Sequence, residues 1–222
     1  MNDRDLFDAI QLEIQAGRVT ESRDDDLILY KYRSDMIFSG GWNPINRLCR
    51  GLVFDVSNPT NPVRLNHPLP KFFNLSEQPE SKLENLPNEL FEIYEKVDGS
   101  CGLSFIDPNT NSWRIATPGG LTSPQAIEAT RMLVNYDMSV FSNWNTPIFE
   151  IIFPENRIVC NYGDRRELVL LAVFDKDGQE WPQRKIDIIA KAFSRPNKYD
   201  FKDISNLPHH ENHEGYVLKF AS

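Results

Sequence analysis

The spacing of apolar residues predicts helices near both ends of the chain and in its middle, with strands between them. Apolar positions at helical spacing predict helices over residues 5–15, 123–136 and 182–193. Shorter apolar or β-branched runs between turn residues predict strands. These strands cover residues 27–32, 47–55, 90–94, 101–106, 113–117, 146–153, 167–174 and 214–220.

One lysine stands out because it follows a predicted strand and precedes a turn. Lys96 comes directly after residues 90–95, and Asp98-Gly99 follows it. A lysine amine is nucleophilic only when neutral, and the ordinary lysine pKa of about 10.4 leaves about one molecule in a thousand neutral near pH 7. A nucleophilic lysine therefore needs burial or a neighbouring cation. Taken alone, this segment is better explained by a strand, a tight turn and an exposed lysine.

Composition narrows the class of protein. The chain has 222 residues, 40% of them hydrophobic, and a formal net charge of -8. These values predict a single globular domain without a membrane span, and they argue against a protein that coats nucleic acid through bulk positive charge. The three cysteines show no metal-binding or disulfide spacing, and the acidic start is unlike a secretory signal. We therefore expect a cytoplasmic protein.

Two segments before Lys96 carry cations in settings that suit a phosphate. Arg50 precedes Gly51, which lets backbone approach a ligand closely, and Lys71 stands beside Phe72 and Phe73. An exposed arginine beside a bulge and an ordinary core edge explain the same residues without any ligand.

A single carboxylate interrupts an apolar strand after Lys96. Glu150 lies inside the predicted strand 146–153, where burial of an unpaired carboxylate costs several kcal/mol. Either this side chain faces water or a polar partner waits for it. The acidic run 24–26 predicts a solvated turn, and the histidines at 209, 210 and 213 predict a loop better than a metal site.

Five short motifs follow one another in a recognisable order. They are Arg50-Gly51, Lys71-Phe72-Phe73-Asn74, Lys96-Val97-Asp98-Gly99-Ser100, Phe149-Glu150 with Pro154-Glu155-Asn156-Arg157-Ile158-Val159, and Glu214-Gly215-Tyr216-Val217. In this order they resemble the covalent nucleotidyltransferase superfamily, and within it the RNA ligase 1 family of T-even bacteriophage type. Each motif alone is weak, whereas five in order are hard to obtain by chance.

The resemblance implies an α+β nucleotidyltransferase fold, with mixed or antiparallel sheets around an ATP cleft, and an ATP-dependent RNA ligase activity. Lys96 would attack the α-phosphate of ATP, and the AMP would then pass to an RNA 5'-phosphate. A 3'-hydroxyl would displace the AMP and seal the strand. The implied partners are ATP, Mg²⁺ or Mn²⁺, and RNA ends.

The same resemblance implies roles for individual side chains. Glu150 matches a carboxylate that hydrogen-bonds the ribose, and Glu214 matches one that assists both the metal ion and the lysine. Asp98 would orient the site from the turn. The remaining residues expected to contact the nucleotide are Arg50, Lys71, Phe73, Glu95, Gly99 and Lys219.

Two departures from the family pattern qualify these expectations. The segment 116–120 lacks the basic residue that relatives carry, so a phosphate or RNA contact is expected to be missing there. The chain also stops before the Lys-x-Lys strand that the family places after Glu214, and Lys219 is too close to that glutamate to be its obvious replacement. We expect residues 1–222 to form one adenylyltransferase domain, truncated at its C-terminus and without a separate C-terminal domain. Alternatively, a second chain supplies the strand or the activity has decayed.

Two other functions fit the sequence. One is a non-catalytic module that binds an adenylate or an RNA end in the same cleft. The other is a DNA ligase or a GTP-dependent capping enzyme, which Phe149-Glu150 followed by Asn156-Arg157-Ile158-Val159 makes less favourable.

Overall fold

Two antiparallel four-stranded sheets pack against each other, and a three-stranded antiparallel sheet carries the central lysine segment. The computed structural model describes residues 1–201 and 203–220. Its helices are α1 Asp3–Gln15, α2 Met36–Ser39, α3 Pro44–Leu48, α4 Pro124–Met132 and α5 Gln183–Ile189. Its strands are β1 Val19–Asp24, β2 Leu27–Tyr32, β3 Arg50–Asp55, β4 Val63–Arg64, β5 Phe91–Glu95, β6 Ser100–Asp107, β7 Ser112–Ala116, β8 Thr146–Ile152, β9 Glu167–Phe174, β10 Lys198–Tyr199 and β11 Tyr216–Phe220.

The first sheet follows the order of the chain, whereas the other two do not. The first sheet has the order β1-β2-β3-β4, the second β7-β6-β8-β9 and the third β10-β5-β11. Every described strand pair is antiparallel. The α+β class with antiparallel sheets, expected from the sequence, is confirmed. Within the described residues, no helix has the length and apolar character needed to cross a membrane.

Alternation along β2 explains how the first sheet is buried on both faces. Successive side chains of a strand point to opposite faces. Leu27 and Leu29 join Phe105 of the second sheet in one apolar cluster, whereas Ile28 and Tyr30 join the cluster that contains α1. The first sheet is therefore a middle layer, between α1 and the second sheet.

The outer face of the second sheet is covered by α4 and α5. Ser123 caps α4 by accepting a hydrogen bond from the Ala126 amide at 3.1 Å, and Pro124 occupies the first turn. The buried faces of both helices pack on β8 and β9 through Ala129, Ile186 and their neighbours. Helical spacing in the sequence predicts both helices, although α5 ends at Ile189 and is shorter than the predicted span.

β1 is the main element that the apolar pattern misses. Its sequence is VTESRD, and only Val19 is fully buried. It pairs with β2 over its whole length, from Val19 opposite Tyr32 to Asp24 opposite Leu27. An edge strand with one solvated face shows no apolar run, so backbone pairing with the apolar β2 decides its structure. Asp25 and Asp26 form the predicted turn between the two strands, whereas Asp24 is the last residue of β1.

A buried carboxylate fixes the loop that precedes β3. Glu13, at the end of α1, accepts hydrogen bonds from Arg18 at 2.6 Å and 2.9 Å and from Asn43 and Asn46 at 3.0 Å each. The hydrogen bond from Arg18 is the largest of the effects that lower the pKa of Glu13 to about 2, against the opposing effect of burial. Glu13 therefore connects α1 to the segment that delivers Arg50.

We expect Glu13→Gln to destabilise the fold at neutral pH and to lose this effect in acid. The pKa of Glu13 is lowered on folding, so its contribution is present above its ordinary value of 4.5 and disappears as pH falls towards about 2. The difference corresponds to roughly 3 kcal/mol at pH 7. Urea unfolding of both proteins between pH 2 and 7 measures it, with the exposed Asp8→Asn as a control. A difference that stays constant with pH would contradict this assignment.

Candidate active site

Lys96 is held at the point where β5 leaves its sheet. Its amide donates a hydrogen bond to the Gly215 carbonyl at 2.9 Å, and its Nζ forms an ion pair with Glu214 Oε1. Gly215 has φ of 141°, a conformation that favours glycine, so the backbone can turn there and present Glu214 to the lysine. Two segments 118 residues apart thus meet at one side-chain amine.

Asp98 anchors the turn that follows Lys96. Its buried carboxylate accepts hydrogen bonds from the amides of Val159 and Cys160 at 2.7 Å and 2.6 Å. Its own amide donates to the Tyr162 hydroxyl at 3.0 Å. These contacts give Asp98 a positioning role, because they tie the lysine turn to the segment after β8.

Gly99 allows the same turn to lie directly on β8. A Cβ atom at this position would stand 2.5 Å from the carbonyl oxygen of Ile151 and 3.2 Å from Cγ of Glu150. The next residue, Ser100, donates to Asn156 Oδ1 at 3.0 Å, and Asn156 donates back to the Ile151 carbonyl at 2.9 Å. The turn is therefore in close contact with the strand that carries Glu150.

Glu150 is the carboxylate at the centre of the charged cluster. Burial raises its pKa to about 8, and the nearby carboxylates of Glu214 and Asp98 act in the same direction. The cations Arg50 and Lys96 oppose this shift because they favour the charged form. These five side chains therefore lie close enough for their charges to interact, and we refer to the space between them as the cleft.

Arg50 enters the cleft from the start of β3. Its guanidinium carbon lies 5.5 Å from the centre of the Phe72 ring, and among the described residues it has no carboxylate partner within ion-pair distance. The following Gly51 has φ of 93°, and a Cβ there would stand 2.7 Å from a Leu103 methyl. A larger residue at 51 would thus strain the backbone at this positive φ and would force the Leu103 methyl group to move.

Lys71 lies beside the same cations. Its Nζ is 4.8 Å from the Phe73 ring centre and 3.8 Å from Glu77. Burial lowers its pKa, and the positive charges of Arg50 and Lys96 lower it further, against the opposing effect of Glu77. Lys71, Arg50 and Lys96 therefore lie close enough to repel one another. An anionic ligand bound among them would reduce this repulsion.

Phe73 serves as a packing platform. Its ring contacts Trp42 edge-on, with 5.4 Å between centres, and the Arg47 guanidinium carbon lies 5.0 Å from it. Phe72, which the sequence analysis did not single out as a site residue, is the more exposed of the two rings at 42%.

Two of the expected nucleotide contacts lie apart from this cluster. Lys219 stands opposite Glu92 on the third sheet and forms an ion pair with Glu180. Glu95 accepts a hydrogen bond from Asn197 Nδ2 at 2.7 Å. Since Glu95 and Lys96 are adjacent in the chain, their side chains point to opposite sides of the backbone. A role for Lys219 or Glu95 in nucleotide binding stays a prediction.

Carboxylate oxygens suit Mg²⁺ or Mn²⁺, which bind through one or two protein carboxylates together with substrate phosphates. No group of three or more His, Cys, Asp or Glu in the described part of the chain could hold a metal ion alone. Glu214 with a bound nucleotide fits such a divalent site. The His210 and His213 rings, 5.9 Å apart, belong to no described metal group.

Asn156 and Tyr162 are structural supports of the site that the sequence analysis did not name as site residues. Asn156 lies within the Pro154–Asn156 turn of a recognised motif, so its position was a usable signal. Tyr162 gave no signal in the sequence, because its hydroxyl contacts the amide of Asp98, 64 residues away, only in the folded structure.

Comparison with known proteins identifies a family for this chain. The RNA ligase family profile matches residues 48–222. A Thermovibrio ammonificans protein provisionally named an RNA ligase is 29% identical in an alignment 215 residues long, which covers 91% of this chain and 54% of the relative.

Solved structures share the fold at low identity. An archaeal ATP-dependent RNA ligase, form 1, has a TM-score of 0.53 and 13% identity, and covers 87% of this chain and 50% of its own. A provisionally named ATP-dependent DNA ligase from Aquifex aeolicus has a TM-score of 0.52 and 15% identity. The match covers 86% of this chain and 50% of the ligase chain. The nucleotidyltransferase fold expected from the sequence is confirmed. The chain spans about half the length of the relatives it matches.

We expect Gly99→Ala to displace the lysine turn from β8. The added methyl group would overlap the Ile151 carbonyl, and overpacking of this kind costs about 1–3 kcal/mol. Urea unfolding measures the loss of stability. Gly119→Ala is the matched control, since its nearest contact is the Thr117 side chain at 3.3 Å. Equal stabilities for the two variants would show that the turn does not need glycine at 99.

We expect Glu150→Gln to stabilise the fold above neutral pH. Because folding raises the pKa of Glu150 to about 8, the wild-type protein loses stability as pH rises from 4.5 through 8, whereas the variant does not. The gain at pH 8.5 is on the order of 5 kcal/mol. Thermal unfolding at several pH values tests this, with the exposed Glu155→Gln as a control. A variant less stable than wild type at pH 8.5 would contradict the burial argument.

Proposed function

The chain belongs to the RNA ligase family of T-even bacteriophage type, and we propose that it is the adenylyltransferase domain of an ATP-dependent RNA ligase that uses a covalent lysyl-AMP intermediate. The observation that carries the proposal is the convergence of Lys96, Glu214, Glu150 and Arg50 on one cleft. A nucleophile, two carboxylates and a phosphate-binding cation are the groups that nucleotidyl transfer requires.

In the first step, the neutral amine of Lys96 attacks the α-phosphorus of ATP. A phosphorus–nitrogen bond forms, the bond from the α-phosphorus to the bridging oxygen breaks, and pyrophosphate leaves with that oxygen. Glu214, whose carboxylate contacts Nζ, is placed to take the proton that the amine loses. The phosphoramidate stores the adenylate, so one difficult displacement becomes two easier ones.

Other side chains hold the nucleotide during this step. Arg50 and Lys71 would neutralise the phosphate oxygens, and Glu150 would hydrogen-bond a ribose hydroxyl. A raised pKa leaves Glu150 able to donate as well as accept near neutral pH. A bound Mg²⁺ or Mn²⁺, held through Glu214 and phosphate oxygens, would supply further positive charge. Asp98 keeps the lysine turn in register with this arrangement.

The second and third steps use RNA ends as substrates. A terminal 5'-phosphate oxygen would displace Lys96 from the adenylate, giving an RNA capped with AMP. A 3'-hydroxyl would then attack the 5'-phosphate, release AMP and form the phosphodiester bond.

We expect the wild-type protein, incubated with α-labelled ATP and a divalent metal ion, to retain label on Lys96. Lys96→Ala should lose the label completely, because Lys96 supplies the amine that contacts Glu214. Gel separation followed by peptide mapping measures the adduct. Lys198→Ala is a control, since that lysine pairs with Glu92 on the same sheet away from the cleft.

Other outcomes separate the alternatives. Label transferred from GTP and not from ATP would favour a capping enzyme. Nucleotide binding without covalent label would favour a non-catalytic module. Sealing of nicked DNA in preference to RNA by the labelled protein would favour a DNA ligase. Label that persists in Lys96→Ala would exclude Lys96 as the nucleophile.

A further inference from the structure

A second pocket opens beside Arg50 on the first sheet. Its volume is about 480 Å³, and its lining contains three cations and no carboxylate. The lining residues are Thr20, Lys31, Tyr32, Arg33, Ser34, Ile37, Arg50 and Pro118. We propose that this pocket is a subsite for backbone phosphates of the RNA strand, with Lys31 as its main contact.

Three polar side chains cross the floor of this pocket in one row. Thr20 of β1 stands opposite Lys31 of β2, and Lys31 stands opposite Arg50 of β3. Residues directly opposite each other in antiparallel strands share a face of the sheet. The register shifts between Tyr30 and Lys31, and Gly51 is the extra residue on β3. This bulge is what brings Arg50 level with Lys31.

The row lies on the face of the first sheet that packs against the second sheet. Leu27 and Leu29 pack against the second sheet on this face. Lys31 is the next alternate residue of β2, so its side chain points to the same face. Lys31 is exposed, so it lies where the apolar layer between the sheets has ended. The pocket is therefore open to solvent and to a ligand as large as a nucleic-acid strand.

Two cations opposite each other in a sheet destabilise the pair of strands. Within the described residues, neither Lys31 nor Arg50 has a carboxylate at ion-pair distance to offset this repulsion. Arg33 contributes less, because it pairs with Asp35 at 3.2 Å. An anion bound between Lys31 and Arg50 would remove the repulsion, so the arrangement fits a phosphate ligand.

The inference depends on the proposed function for the identity of the anion. Arg50 lies between the pocket and the cleft, since its charge also acts on Glu150 and on Lys71. Lys31 is one strand further from the nucleophile than Arg50 is. A strand that carries one phosphate per nucleotide can follow this row, and the hydroxyls of Thr20 and Ser34 add donors to its phosphates.

The test compares Lys31→Gln with Lys191→Gln in the full chain. Lys191 is also exposed and also lacks a described carboxylate partner, but it lies outside the pocket. Fluorescence anisotropy with a 5'-phosphorylated single-stranded RNA, at several salt concentrations, gives the affinity. We expect Lys31→Gln alone to weaken RNA binding several-fold and to reduce the salt slope by about 0.7, the value for one lost phosphate contact. Lys31→Arg should retain binding.

The other readouts identify the source of the phosphate and exclude misfolding. ATP affinity and Lys96 labelling should stay unchanged in Lys31→Gln, and its melting temperature should not fall, because one like-charge contact is removed. Weaker ATP binding with unchanged RNA binding would assign the pocket to the nucleotide tail and overturn the proposal. Equal RNA affinities for the two glutamine variants would overturn it too. If Lys31→Gln weakens RNA binding but the wild-type protein is never labelled on Lys96, the result would support the subsite and contradict the proposed function.

Discussion

The ion pair between Lys96 and Glu214 is the contact that organises the cleft. It joins the end of β5 to the turn before β11, and the hydrogen bond from the Lys96 amide to Gly215 holds the two backbones at fixed separation. Asp98 secures the other side of the lysine turn through the amides of Val159 and Cys160. A flexible lysine costs entropy to fix, so contacts on both sides of it are needed to hold the amine in one place.

Charge is concentrated in this region at a cost to folding. Glu150 is half-buried with a raised pKa, and Lys71 is half-buried with a lowered pKa, so each is held where its charged form is disfavoured. Such paired shifts in opposite directions are typical of sites that bind or transform a charged ligand. The apolar clusters on both sides of the second sheet stabilise the fold and so offset the cost of holding these charged groups.

The strongly periodic elements and the order of the charged motifs could be predicted from the sequence, because each depends only on residues that are close together in the chain. α1, β6, β8 and β9 are read from local spacing alone. The sequence did not predict β1, whose polar sequence is ordered by pairing with β2, or the contact of Tyr162 with Asp98, which joins residues 64 apart. Lys219 shows the converse limit. Its type and position suggested the nucleotide site, whereas its ion pair with Glu180 depends on how the third sheet packs.

A crystal structure with a non-hydrolysable ATP analogue, in which a methylene group joins the α- and β-phosphorus atoms, would locate the nucleotide without covalent reaction. We predict that its α-phosphate lies against Lys96 and Arg50 and that a ribose hydroxyl lies within hydrogen-bonding distance of Glu150. An analogue bound on another surface, with Lys96 and Glu214 still paired and untouched by phosphate, would contradict the assignment of this cleft.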